Sequence, residues 1–334
     1  HRSGTNDFHG WMDDVYRTNA LIDKQPTRYC WSPHLNHRLI PEVAVAMPLW
    51  FDHYLKGGPA LPETPHSELL LQTADRTPML RVTPDTRSLP VKLVEIYYSV
   101  DSDPLARFWR SADVTRDGNA YVAKLPLHTL DLPLFAFANV YHKLPKSESL
   151  AALPGNPKSV NDVCISSLLH SRSMEEIKTA NLLSVAKPSK LIEDFSRGLR
   201  DWYLIGEGNL SHRQFWTRKL TDPLYRGPNG AKLAITLKMP QTNRLSIVLQ
   251  QNEWRRYRGP KMTFVCEREI QGSDKEQTLS LEVKDFTSKD GPLMSWTQID
   301  QLGLCAQFTE RETPKTTAST WKGPAPQFVR LQWE

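Results

Sequence analysis

Apolar residues near the start of the chain recur at helical spacing. Trp11, Met12, Val15, Tyr16, Ala20 and Leu21 line one side of a run that carries Asp13, Asp14 and Arg17 on the other, and Pro26 ends it. Tyr29, Cys30 and Trp31 then form a short apolar strand, and Pro33 opens a loop that carries His34 and His37. A second helical pattern starts at Pro41, a first-turn position, and stops at Gly57-Gly58. It puts Val45, Leu49, Phe51, Tyr54 and Leu55 on the buried side, with a kink or break at Pro48. Loop, helix, strand, loop and helix in this order predict, over residues 1–58, the closing elements of a doubly wound α/β sheet.

After Gly58 the period changes to alternation. Pro59, Pro62 and Pro65 mark a linker over 59–66, and short strand patterns follow to residue 172. They include Leu69 to Leu71, Met79 to Val82, the Val94, Ile96 and Tyr98 face, Tyr121 to Leu125, the Phe135 to Tyr141 run and Ile165 to Leu169. Asp117-Gly118-Asn119 reads as a hairpin turn between a Phe108-Trp109 strand and the Tyr121 strand. About seven such strands predict an immunoglobulin-like β-sandwich over 59–172, on spacing alone, since the Cys-Trp-Cys core signature is missing. Residues 173–188 read as a polar connector. From 189 to 334 alternation resumes: Leu233, Ile235 and Leu237 face away from Lys232, Thr236 and Lys238, and the chain closes on a Phe328 to Trp333 strand. About eight strands here predict a jelly-roll β-sandwich.

Composition narrows the function classes. No run of eighteen apolar residues exists, so no membrane-spanning helix is expected. Lys and Arg number 42 against 37 Asp and Glu, a net charge of +5, too mild for a dedicated nucleic-acid binder. The four cysteines (Cys30, Cys164, Cys266, Cys305) lack zinc spacing; Cys266 and Cys305 could pair or remain buried thiols. No cofactor signature occurs. His34-x-x-His37 with His9 and His53 has the composition of a metal cluster, but no His-Glu-x-x-His is present and the pair lies on a loop, so no metal is expected.

The sharper chemistry lies in Asp7 and His37. They stand about thirty residues apart, with room for one helix and one strand between. In α/β-hydrolases the triad runs Ser, then Asp or Glu, then His along the chain. A loop Asp after Gly-Thr-Asn is also ordinary turn chemistry. The Gly-x-Ser-x-Gly nucleophile elbow is nowhere in the sequence, and the first residue is His, so the chain reads as a C-terminal piece. Gly4-Thr5-Asn6-Asp7, Pro33-His34-Leu35-Asn36-His37 and Trp50-Phe51-Asp52-His53-Tyr54-Leu55-Lys56-Gly57 resemble the end of an α/β-hydrolase of the acetyl-xylan-esterase and dienelactone-hydrolase-like group. The resemblance covers residues 1–58. It implies Asp7 as the acid that orients the imidazole, His37 as the base, esterase activity on acylated polysaccharide, and a secreted or periplasmic location.

In the last domain, Glu193-Asp194-Phe195 before Gly198, and Asp222-Pro223 before Gly227, Pro228 and Gly230, resemble the opening of carbohydrate-binding-module-like jelly rolls. Sugar binding calls for exposed flat rings beside hydrogen-bonding groups. Trp254 and Tyr257 in one loop and Trp321 in another are the candidates, with Arg255 and Arg256 able to hold an anionic sugar group through paired hydrogen bonds. Trp202, Trp216 and Trp333 are expected in the core. The expected partner is a polysaccharide, bound in the course of ester hydrolysis or, as the alternative, by a non-catalytic glycan-binding protein.

Overall fold

The chain opens with β1 (Arg2–Gly4), crosses through α1 (Met12–Asn19) and returns as β2 (Cys30–Ser32), parallel to β1 with Ser3 opposite Trp31. The helix forms where the pattern places it, with Asp13 and Asp14 in its first turn, where the helix dipole favours negative charge. Its buried contact is Met12, whereas Leu21, beyond its end, is exposed. The second helical pattern divides into α2 (Pro41–Ala44) and α3 (Ala46–Lys56). The break falls at Val45 because Pro48 has no N–H to offer the Ala44 carbonyl, which accepts instead from Arg2 Nη1 at 3.2 Å. Val45 is buried as expected, but Phe51, Tyr54 and Leu55 are exposed, which corrects the expected buried side of this helix.

A sandwich follows, in the computed structural model, which describes residues 1–22, 25–150, 159–205, 213–255, 259–306, 308 and 321–334. Its strands in chain order are β3 (His66–Leu70), β4 (Met79–Thr83), β5 (Val91–Ser99), β6 (Arg110–Ala112), β7 (Thr115–Asp117), β8 (Ala120–Lys124), β9 (Leu134–Ser149), β10 (Ser159–Ser166) and β11 (His170–Arg172). One antiparallel sheet runs β10-β9-β5-β6, with β11 also on β9, and the other runs β3-β4-β8-β7. Leu80, Val82, Ile96, Leu125 and Ala136 fill the space between them. The Asp117 turn joins β7 to β8, with Gly118 at φ +61°, and β6 belongs to the opposite sheet. The hairpin partner is therefore Thr115–Asp117 and not the Phe108-Trp109 segment.

Residues 1–58 are built into this sandwich. Tyr29 bridges Ser166, whose Oγ accepts from the Trp31 N–H at 2.9 Å. The Asn139 amide donates to the Trp31 carbonyl at 3.0 Å, and the Tyr16 hydroxyl donates to the Ser167 carbonyl at 2.7 Å. Cys30, Val43 and Val45 share a core with Val163, Cys164 and Ile165. Arg107, fully buried, pairs through both terminal nitrogens with Asp13 at 3.2 Å and lies over the Phe135 ring. The expected connector contains α4 (Met174–Thr179), capped reciprocally by Ser173 and Glu176, and its Ile177 is fully buried. His1–Ala186 thus forms one compact unit and Lys187–Glu334 a second, in place of the three parts expected from the sequence.

The second unit comprises β12 (Leu191–Glu193), β13 (Tyr203–Ile205), β14 (Gln214–Thr217), β15 (Leu233–Met239), β16 (Asn243–Gln251), β17 (Met262–Ile270), β18 (Ser273–Leu281), β19 (Thr287–Ser288), β20 (Gly291–Pro292), β21 (Gln301–Cys305) and β22 (Gln327–Trp333). Its antiparallel sheets are β12-β22-β15-β18 and β13-β14-β21-β16-β17-β19-β20. Their common core takes in Leu233 and Ile235 from one sheet, Leu245, Ile247 and Leu249 from the other, and Trp202, Phe215, Leu302 and Trp333. Lys219 is buried between Glu193 and Asp201, at 2.8 and 3.0 Å, and Glu193 also accepts from the Trp202 indole at 3.2 Å. Among the described residues all four cysteines are free and buried. Cys266 stands opposite Ile247 on the core face and Cys305 opposite Ser246 on the other face, so alternation along β16 keeps the two thiols apart.

Candidate acid–base site

The parallel strands β1 and β2 end side by side, and the loops that leave them carry the two sequence-selected residues. The Thr5 N–H donates to the Ser32 carbonyl and the Asn6 N–H to the Leu35 carbonyl, both at 3.0 Å, which ties one loop to the other. The side-chain amide of Asn6, fully buried, donates to the carbonyls of Pro104, Leu105 and Arg107 at 3.2, 3.2 and 2.8 Å. Gly4 allows the close approach, since an added Cβ would stand 2.0 Å from the Asn36 carbonyl oxygen and 2.2 Å from that of Leu35.

This framework brings Asp7 and His37 together. His37 Nδ1 is 3.1 Å from Asp7 Oδ2 and 3.3 Å from Oδ1. The Asp7 carboxylate is buried, whereas the His37 side chain is 65% exposed. Burial alone would raise the Asp7 carboxyl, but hydrogen bonds from the Ser3 hydroxyl, the His9 N–H and His37 outweigh it and hold the group below its ordinary value. Asp7 is therefore ionised at neutral pH and can only accept, so Nδ1 of His37 carries the proton at this contact, which in the neutral ring leaves the lone pair on Nε2. A His in this state is equipped to take a proton from a hydroxyl brought to Nε2. The His9 ring packs edge-on against His37 at 4.8 Å, and Phe8 lies 5.8 Å from it.

Two members of the site were not read from the sequence as partners of the acid, although Ser3, with Ser32, was a suspect there for a second nucleophile. Ser3, in the middle of β1, donates to Asp7 Oδ2 at 2.5 Å, and the His9 N–H donates to Oδ1 at 2.8 Å. A serine inside a strand has no spacing signal of its own. The turn after β1, in which the Asp7 N–H donates to the Gly4 carbonyl at 3.3 Å, brings the carboxylate back to it. Ser32, the other serine near the pair, accepts from the Ile40 N–H at 3.0 Å.

The remaining histidines do not gather. His34 is buried at φ +63°, its N–H donating to Thr5 Oγ1 at 3.0 Å and its ring 5.2 Å from Phe108. His53 Nδ1 bonds the Gly58 carbonyl at 2.7 Å. Among the described residues no group of three or more His, Cys, Asp or Glu side chains is arranged to hold a metal ion.

The aromatic platform expected in the second unit is largely absorbed by its core. Trp321 is buried, donates its indole N–H to the Arg244 carbonyl at 3.1 Å and stacks near Phe215, so it offers no ring face to a sugar. Arg255 is buried too, its Nε 2.5 Å from Asp300 Oδ1, and the expected anion contact from this side chain is replaced by an internal ion pair. Trp254 is half-buried; its indole N–H donates to Gln301 at 2.6 Å and the Arg218 guanidinium lies 5.5 Å from the ring centre. Tyr257 and Arg256 lie outside the described residues. Trp202, Trp216 and Trp333 are buried.

No family model matches the chain, and no curated protein matches it. Among solved structures it is similar to glycoside hydrolase family 32 from Bifidobacterium adolescentis at a TM-score of 0.17 and 11% identity, over 81% of this chain and 41% of that one. A likeness this slight carries no argument about fold or chemistry. No helix among the described residues is long and apolar enough to cross a membrane.

Proposed function

We propose that residues 1–58 supply the base and its orienting acid to a serine carboxylic-ester hydrolase whose nucleophile lies outside this chain. The observation that carries this reading is the contact between a buried, ionised Asp7 and an exposed His37, each on the loop after one of two parallel strands. In the reaction, His37 Nε2 takes the proton of a serine hydroxyl as its oxygen bonds the acyl carbon. The imidazolium, held by Asp7, returns that proton to the departing alkoxide. Water, activated by the same Nε2, then releases the acid and frees the serine. The exposed apolar residues Met47, Phe51 and Leu55 of α3 support the idea that β1 and β2 belong to a wider sheet, because parallel sheets are covered on both faces.

The substrate class, an acylated polysaccharide met outside the cytoplasm, follows from the resemblance of residues 1–58 to acetyl-xylan-esterase-like proteins and of the second unit to carbohydrate-binding jelly rolls. Of the expected sugar-contact residues that are described, Trp254 is the one that is not fully buried. The same features would serve a glycan-binding protein without catalysis, and covalent labelling separates the two. A longer form of the protein that includes a Gly-x-Ser-x-Gly elbow before His1 takes up a fluorophosphonate probe on that serine, and His37→Ala abolishes the uptake. Equal labelling with and without His37 would overturn the proposal.

A further inference from the structure

We infer that Ser3 is a positioning residue for the acid: with the His9 N–H, its hydroxyl fixes the plane of the Asp7 carboxylate against the His37 ring. This rests on the reading of Asp7 and His37 as acid and base, and it gives a role to a serine that the triad logic does not use.

A carboxylate presents about four lone-pair directions on two oxygens. Oδ2 takes the Ser3 hydroxyl at 2.5 Å and Oδ1 takes the His9 N–H at 2.8 Å. What remains on both oxygens faces His37 Nδ1, at 3.1 and 3.3 Å. Two donors, one on each oxygen, resist rotation of the carboxylate, and rotation is what would lose the imidazole. Ser3 is itself held, since β1 is fixed in register with β2 and the residue is buried. Its proton is committed to the acid, on the Nδ1 side of the ring, while a nucleophile must stand at Nε2. Ser3 therefore serves the acid and is not the attacking group. The hydrogen bonds that Asp7 accepts from Ser3, His9 and His37 also favour the ionised carboxylate, in keeping with a carboxyl held below its ordinary value despite burial.

The test needs no catalytic activity and uses the chain as it stands. Ring nitrogen NMR of His37, recorded well above the ordinary histidine pKa of about 6.5, reports which nitrogen carries the proton, and carbon NMR follows the Asp7 carboxyl. In the parent, Nδ1 is protonated. Ser3→Ala shifts the ring toward a mixture of tautomers and raises the Asp7 midpoint by about one pH unit, as expected for losing a hydrogen bond to a charged group. Ser3→Thr, which keeps a hydroxyl, restores both. Ser3→Cys, close in size with a weaker donor, moves both in the Ser3→Ala direction by less, and serves if the alanine variant folds poorly. The positioning role is overturned if Asp7→Ala abolishes the Nδ1 preference while the Ser3 variants leave ring and carboxyl as in the parent. If Asp7→Ala also leaves the ring unchanged, the acid–base pair itself is wrong and Ser3 loses its role with it.

Discussion

At the scale of single residues, the site depends on Gly4 as much as on its titratable groups. The Leu35 and Asn36 carbonyls lie where any side chain at position 4 would start. Backbone oxygens cannot rotate aside as a side chain can, so Gly4→Ala has to push the His37 loop away. We expect a loss of about 2–3 kcal/mol, the upper part of the range for overpacking, with the His37 ring resonances moving toward those of the Asp7→Ala variant. A thermal melt and the same ring NMR check both. The contact of Asp7 with His37 was legible in the sequence only through the resemblance, which sets the two residues on successive loops. Ser3 and the His9 N–H were not legible as partners of the acid, since the backbone turn after β1 sets their part. Trp321 and Arg255 show the converse limit. A tryptophan or an arginine suits a ligand site and a protein interior equally, and only the surrounding partners, the Arg244 carbonyl and Asp300, decide between them.

At the scale of elements, α1 is anchored by one charged pair. Arg107 is wholly buried, and Asp13 supplies its carboxylate from the first turn of the helix. Asp13→Ala leaves a buried guanidinium with its Asp101 carbonyl bond and its aromatic neighbours but without this counter-ion. Breaking such a pair costs about 3 kcal/mol, and chemical denaturation should show that loss in the first unit. A loss below about 0.5 kcal/mol, typical of surface pairs, would show that the pair adds nothing. The helical segments of the first 58 residues were readable from their period and their prolines, whereas α4 was hidden in the polar connector. The buried side of α3 was not, because Trp50, Phe51, Tyr54 and Leu55 spread apolar character around the helix and the period alone does not choose a face. Pro48 announced the break but not its position, which the Arg2 contact to the Ala44 carbonyl marks at the preceding turn.

At the scale of the molecule, alternation correctly announced two β-rich regions, and the change near residue 187 was visible as a Lys- and Pro-bearing stretch. The expected division at 58 was misleading. A switch from helical to strand period marks a change of local structure, while Trp31, Asn139, Ser166 and Arg107 join the two sides through buried hydrogen bonds that no local pattern records. Residues 187–334 should therefore fold when expressed alone, whereas 59–186 without the first 58 residues should not, because Val163, Ile165, Phe137 and Trp109 would lose their cover. Dispersed amide NMR spectra for the first fragment and aggregation of the second are the expected results. The central claim, that His37 and Asp7 are the base and acid of an ester hydrolase, is tested most directly by the hydrolysis of p-nitrophenyl acetate in a form extended upstream to include a Gly-x-Ser-x-Gly elbow. Turnover should fall about ten-thousand-fold in Asp7→Asn, the loss expected when the base is held in the wrong tautomer, and at least as far in His37→Ala. Turnover that survives both substitutions would contradict the assignment.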